Sequence, residues 1–380
     1  MGVKTFKTYN EGQNVYYYDG TLQRYDSSGP FGPIPPDPTG VPDAFKAIQQ
    51  INSMAKEVPL DAPWTAASAV EWDGQTFETW KLDNAATPGG RFLLDLAVEA
   101  VWSCQPRDLS LLHLLWYTHG ADTFDNLINT AGGAQDRRFV GGPAAVTSKL
   151  ARQLGKRVVL RSPVRRIVRT GRKVRVESDR AIVTADHVIV ALPPAIAAKL
   201  EHRPALTALR AQLEQRVPMG NVIKCQARYA TPFWRDDGLT GQATSNTGPV
   251  KVTFDNSPPG GKPGVMLGFI EGTDGRVWGE RPAAQRKLAV LESFARYFGE
   301  KMLTPEFYVE KSWAADEWAG GCYAGYMPPG VLLDYGTALR EPIGRIHWSG
   351  TETATRWPGY IDGAVQSGER AAAEVLEALR

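Results

Sequence analysis

The chain has 380 residues, of which 43% are hydrophobic and 22% charged, with a formal net charge of +2. These values are ordinary for a soluble globular protein and predict about two domains, and the near-zero net charge excludes a polyanion partner such as nucleic acid recruited by bulk charge. Three cysteines far apart, Cys104, Cys225 and Cys322, exclude a disulfide framework and point to a reducing, cytoplasmic setting.

Residues 1–27 alternate polar and apolar around an Asp19-Gly20 turn, the pattern of a short hairpin. Residues 28–43 hold six prolines and three glycines and read as an irregular loop. Over 42–56 the spacing of Phe45, Ile48, Ile51 and Met54 predicts a helix. Asp61 is expected as an N-cap ahead of Pro63, and Asp73-Gly-Gln-Thr-Phe as a further helix start. The apolar stretches 91–103 and 109–119 are helix-length, so 42–130 is expected to be mostly helical.

The composition changes near Phe139. A helix is predicted over 144–154 and a short strand over 157–161, followed by hairpin strands over 163–169 and 173–178. Strands follow over 180–184 and 187–192, the second a continuous apolar run of the kind buried on both faces of a parallel sheet. Period-2 stretches over 222–229, 250–254 and 265–270 predict a second, antiparallel sheet. A helix over 288–298, a buried strand over 345–350 and a closing helix over 362–379 complete the chain. The fold class is therefore mixed α/β. Two interleaved modules are expected. One comprises 140–213 and 316–380 and has parallel-sheet character. The other comprises 1–139 and 214–315 and mixes helices with antiparallel strands.

No signal peptide opens the sequence and no apolar run approaches a membrane span. The five histidines form no metal pattern, so no metal is expected. Eleven tryptophans hint at an aromatic-lined site, although core packing is their commoner use.

Two stretches near the end carry the chemistry. Residues 318–326 read Trp-Ala-Gly-Gly-Cys-Tyr-Ala-Gly-Tyr, and residues 349–360 read Ser-Gly-Thr-Glu-Thr-Ala-Thr-Arg-Trp-Pro-Gly-Tyr. Paired glycines permit a tight turn and the close approach of a flat ligand. Taken alone, Cys322 is more often a small buried hydrophobe, and Tyr323 and Tyr360 ordinary core or rim residues. Together the two stretches resemble those of the flavin-containing amine oxidases, and most closely the monoamine oxidases, along essentially the whole chain. The resemblance implies an FAD-binding Rossmann-like domain interleaved with a substrate domain, and oxidative deamination of amines with release of hydrogen peroxide.

The same resemblance implies the roles of individual residues. Cys322 would carry FAD through a thioether, while some relatives bind FAD without a covalent link. Tyr323 and Tyr360 would form an aromatic cage for the neutral amine, since two ring faces attract its nitrogen. Lys224, otherwise an outward residue of a half-buried strand, would sit by the flavin and assist reaction with oxygen. Trp313, Val164, Gly350, Thr351, Glu352 and Ile361 would contact the cofactor, the last at a helix N-terminus whose free N–H groups suit an anionic ring edge. Gln135, Ile128, Val252 and Phe269 would line the substrate pocket. Asp362 reads as a plain N-cap, and Glu369 and Arg370 as a solvated helix face. Val252 and Phe254 stand where a diamine oxidase would need an acidic anchor, which tilts toward a monoamine, with Glu271 an acidic exception nearby.

A dinucleotide-binding fold needs a GxGxxG turn between a strand and a helix, and none lies in residues 1–60. Residues 1–6 resemble a segment that lies well inside family members. The expectation is a chain lacking the first strand, its phosphate loop and the acidic ribose ligand, with Met1 an internal methionine. Neighbouring strands would then keep unpaired edges. Three readings stay open: a working amine oxidase, a catalytically incompetent fragment, and a polyamine or L-amino-acid oxidase of the same superfamily. The expected partners are a small amine and O2. No membrane tail of the kind carried by the family's mitochondrial members is expected, and a homodimer is left open.

Overall fold

A computed structural model describes residues 2–28 and 33–380. Part of the expected loop 28–43 therefore lies outside the described residues. Its end is helical, because the helix Gly40–Ala55 begins earlier than the apolar spacing predicts. The hairpin forms as read: Gln13–Tyr18 pairs with Thr21–Asp26. Asp19 at φ 48° and Gly20 at φ 81° supply the two left-handed positions that a two-residue turn requires.

Helices dominate 40–128. Gly40–Ala55 packs on Pro88–Trp102, and Leu111–Gly120 runs through the middle. In this last helix Leu111, Leu112, Leu114 and Leu115 are fully buried, each contributing roughly 2 kcal/mol relative to exposure. A helix apolar all round can only be stable in this way, wrapped by other elements. Thr76, Thr87, Ser110 and Thr123 cap four of these helices through their hydroxyls. Asp61 is not a cap: the short 3-10 turn Pro63–Thr65 starts from Ala62 with no side-chain acceptor. The helix expected at Asp73 starts instead at Phe77. Asp73 ends the preceding helix and takes hydrogen bonds from Ser110 and Leu333.

The second sheet has seven strands, in the order Phe307–Ser312, Val222–Tyr229, Gly264–Glu271, Val252–Asp255, Leu239–Ser245, Gln13–Tyr18 and Thr21–Asp26. It is not purely antiparallel, because Leu239–Ser245 runs parallel to Gln13–Tyr18. The strand Leu239–Ser245 is polar in sequence yet buried, and the Thr240 hydroxyl is satisfied by a distant partner, donating to Asn14 at 2.7 Å. Helix Ala283–Phe298 closes one face of this sheet over a core containing Ile223, Cys225, Ile270 and Phe294.

A four-stranded sheet contains Val164–Thr170, Lys173–Ser178, Ile182–Ala185 and Glu201–Arg203. Residues 157–161 do not form the expected strand; Val159 and Leu160 are exposed, and among the described residues no strand pairs with them. Val188–Ala191 and Ile346–Ser349 make a parallel pair. The first of these is not buried on both faces: Val190 points into the core while Ile189 is 38% exposed. Ile346–Ser349 is fully buried, covered by the closing helix Ile361–Ala378. Asp362 does not occupy the cap of that helix, which falls at Tyr360. Arg370 is not on a solvated face either, since it donates to the carbonyl of Trp348 at 2.6 Å and to Thr353 at 3.1 Å. No helix among the described residues is long and apolar enough to cross a membrane.

Candidate active site

Three segments distant in sequence meet where the helical core faces the seven-stranded sheet. The stretch before Val222–Tyr229 pairs with the glycine-rich stretch, with Cys322 N–H donating to Gly220 at 2.9 Å and Gly220 N–H to Ala324 at 3.1 Å. Glu352 joins that stretch to the Ser-Gly-Thr-Glu turn. Its buried carboxylate accepts from Gly325 N–H at 2.9 Å, and burial pushes its pKa up. Thr351 closes the turn by donating to the carbonyl of Tyr360 at 2.9 Å. Glycine is required at two points. Gly321 has φ 156° against Met219 and Gly220, and at Gly359, with φ 81°, a Cβ would overlap the Tyr117 hydroxyl.

These segments wall a cavity of about 640 Å³. Tyr323 and Tyr360 both line it, at the ends of the two motifs. Tyr360 packs edge-on to Trp357 at 5.1 Å and against Tyr117 at 6.3 Å. Tyr323 packs edge-on to Phe269 at 6.2 Å, and its hydroxyl donates to Glu271 at 2.8 Å. Burial pushes both phenols well above their ordinary range, so both are neutral.

Lys224 reaches the same wall. Strand alternation sends its neighbours Ile223 and Cys225 into the sheet core and Lys224 to the cavity face. Its ammonium lies 4.9 Å from the Tyr323 ring centre and 5.6 Å from that of Phe269, within cation–π range. Gln135, Ile128, Val252 and Phe269 all line the cavity, as does Ile361. Cys322, Trp313, Val164, Gly350, Thr351 and Glu352 lie off it. Cys322 is a half-buried free thiol whose pKa is raised by burial and opposed by Lys224. Trp313 follows the edge strand beside Lys224, and its Nε1 is buried without a partner among the described residues.

The charges in the cavity wall are few. Its two carboxylates, Asp125 and Glu271, already accept hydrogen bonds from Asn52 and Tyr323. Among the described residues no arginine lines it. Several lining residues are not legible in the sequence, Tyr117 and Gln242 among them. Tyr117 sits in the apolar run Leu-Leu-His-Leu-Leu-Trp-Tyr and reads as core, and Gln242 lies in a strand without an apolar pattern. Glu271 was visible as an acidic residue nearby, but its bond to Tyr323 was not. Among the described residues no group of His, Cys, Asp and Glu could hold a metal ion.

Comparison with known proteins gives the family. The family model of flavin-containing amine oxidoreductases matches residues 1–376. AofH of Mycobacterium tuberculosis, a chain named for flavin-containing monoamine oxidases, is 40% identical over 379 residues, covering 100% of this chain and 82% of its own. Cyclohexylamine oxidase from Brevibacterium oxydans superposes with a TM-score of 0.93 at 31% identity, covering 100% of this chain and 83% of its own. Wild-type putrescine oxidase bound to putrescine also superposes with a TM-score of 0.93, at 30% identity, covering 99% and 83%.

Proposed function

The chain belongs to the flavin-containing amine oxidoreductases, and from that premise we propose that it oxidises primary monoamines with an apolar or aromatic tail. Overall, amine, O2 and water give aldehyde, ammonia and hydrogen peroxide. The observation that carries this reading is that Tyr323, Tyr360 and Lys224 line one cavity, with the Lys224 ammonium 4.9 Å from the Tyr323 ring centre.

The family's cofactor is FAD, and the residues present fit its ring portion. Trp313 has an unpartnered buried N–H, Cys322 a free thiol, and the first turn of Ile361–Ala378 no side-chain cap on its amides. We assign Cys322, Trp313, Val164, Gly350, Thr351, Glu352 and Ile361 to holding it, Glu352 by fixing the turn through Gly325. When bound, FAD supplies the acceptor for the hydrogen and electron pair that leave the amine α-carbon.

The protein's own groups bind and orient. Tyr323 and Tyr360 present ring faces that suit a neutral amine nitrogen and restrict its approach. Lys224 brings its ammonium to the cavity wall, where a positive charge would favour the gain of electrons by oxygen. Phe269, Val252 and Ile128 take the tail, with Gln135 the polar contact at the rim. No side chain need act as a strong base.

The wall also favours this reading over its rivals. A diamine needs an acidic anchor for its distal ammonium, and Val252 and Phe254 line the wall where that anchor would be expected. An amino acid needs a cationic clamp, and Lys224 is held over the Tyr323 and Phe269 rings. A panel of amines with peroxide readout tests this. Benzylic and cycloalkyl monoamines are expected to exceed putrescine and L-amino acids in kcat/KM by at least about tenfold, the worth of one mismatched polar contact. Preference for putrescine would sink the monoamine assignment.

A further inference from the structure

Glu271 ends the strand Gly264–Glu271 and is 5% exposed, yet it reaches the cavity wall. Its one hydrogen bond among the described residues is the one accepted from the Tyr323 hydroxyl at 2.8 Å. The ring of that same tyrosine lies under Lys224 at 4.9 Å and against Phe269 at 6.2 Å. The phenol thus joins the two groups on the cavity wall, with the carboxyl at its hydroxyl and the ammonium over its ring.

We propose that Glu271 is a positioning residue that fixes Tyr323 through its hydroxyl and sets how strongly the ring face attracts an amine. The proposal rests on the amine-oxidase reading of the cavity. The physical link is the shared phenol proton. A carboxylate acceptor draws that proton toward itself and leaves the ring richer in electrons, and a neutral acid does so less. A richer ring face binds a nitrogen with partial positive charge more tightly.

The surroundings decide when the carboxyl changes charge. Burial raises the Glu271 pKa to about 8, with Glu99 adding to the rise and the Tyr323 hydrogen bond, Lys224 and Lys251 opposing it. Glu99 lies on the helix Pro88–Trp102 and Asp274 on Gly272–Gly279, and each binds Lys251 at 2.9 Å. Lys251 is therefore already shared between two carboxylates. Cys322 adjoins Tyr323 as the remaining titratable neighbour. The sign follows from the raised pKa. Stability contributed by the neutral carboxyl is complete below the ordinary carboxylate range and is lost as pH climbs through about 8.

E271Q keeps an acceptor for Tyr323 and removes the charge. The flavin-loaded wild type and E271Q are compared in kcat/KM for one monoamine across pH 6 to 10. The amine's own titration is common to both and cancels in the ratio. The wild-type to E271Q ratio is expected to rise by about three- to tenfold through pH 8. In a Y323F background, which lacks the hydroxyl, it is expected to stay flat. Independently of activity, the melting temperature of E271Q relative to wild type is expected to climb between about pH 5 and pH 8 and then level off. A flat ratio in an active enzyme, a pH-dependent ratio that persists in Y323F, or a melting difference that does not change with pH would each overturn the proposal. A flavin-loaded wild type that oxidises no amine would instead overturn the amine-oxidase reading itself.

Discussion

Replacing Tyr323 and Tyr360 together by leucine is expected to lower kcat/KM for a primary monoamine by about 100-fold or more, with binding and turnover both impaired. Leucine keeps the apolar volume but removes both ring faces, so the amine nitrogen loses its orienting slot. The single variants separate the two walls. Tyr360 is held by ring contacts to Trp357 and Tyr117, and Y360L leaves no buried polar group behind. Y323L strands Glu271 without its hydrogen-bond donor and should cost more, in stability as well as in rate. Steady-state kinetics beside a thermal melt distinguish the two costs. Activity of the folded double variant within threefold of wild type would mean that the aromatic pair is core packing and nothing more.

Lys224 gives the second large effect. Its ammonium stands on the cavity face, over the rings of Tyr323 and Phe269. K224M retains the aliphatic length and is expected to slow oxygen-dependent turnover by about 100-fold, the scale of losing one preorganised electrostatic group. Bleaching of the flavin by amine under anaerobic conditions should change little. Rapid-mixing measurements of the two half-reactions separate these outcomes. Equal slowing of both would place Lys224 in amine binding, not in oxygen chemistry.

The candidate site is readable in the sequence mainly through the family resemblance of two short motifs. Cys322 and Tyr323 follow two glycines, and Tyr360 follows a glycine before a helix; each motif specifies its own turn. Strand alternation places Lys224 on the face opposite the buried Ile223 and Cys225, while its role in the site is implied by the resemblance alone. Partners supplied by distant segments are not legible. Tyr117 reads as core until Gly359 is seen against its hydroxyl. The bond that ties the Glu352 carboxylate to Gly325 is likewise invisible in the sequence. The same limit governs the fold. The apolar helices and the hairpin at Asp19-Gly20 announce themselves, whereas Leu239–Ser245 is a strand because Asn14, far away, satisfies its threonine. The apolar run 157–161 shows the converse, since β propensity without a pairing partner leaves Leu160 exposed.

The central claim is that Cys322, Lys224, Tyr323 and Tyr360 surround a flavin. The most direct measurement is the visible spectrum of the purified chain incubated with FAD, repeated on the redissolved pellet after acid precipitation. The account predicts a flavin spectrum that stays with the pellet in the wild type and is washed away in C322S. A chain that remains colourless after incubation with FAD would contradict it.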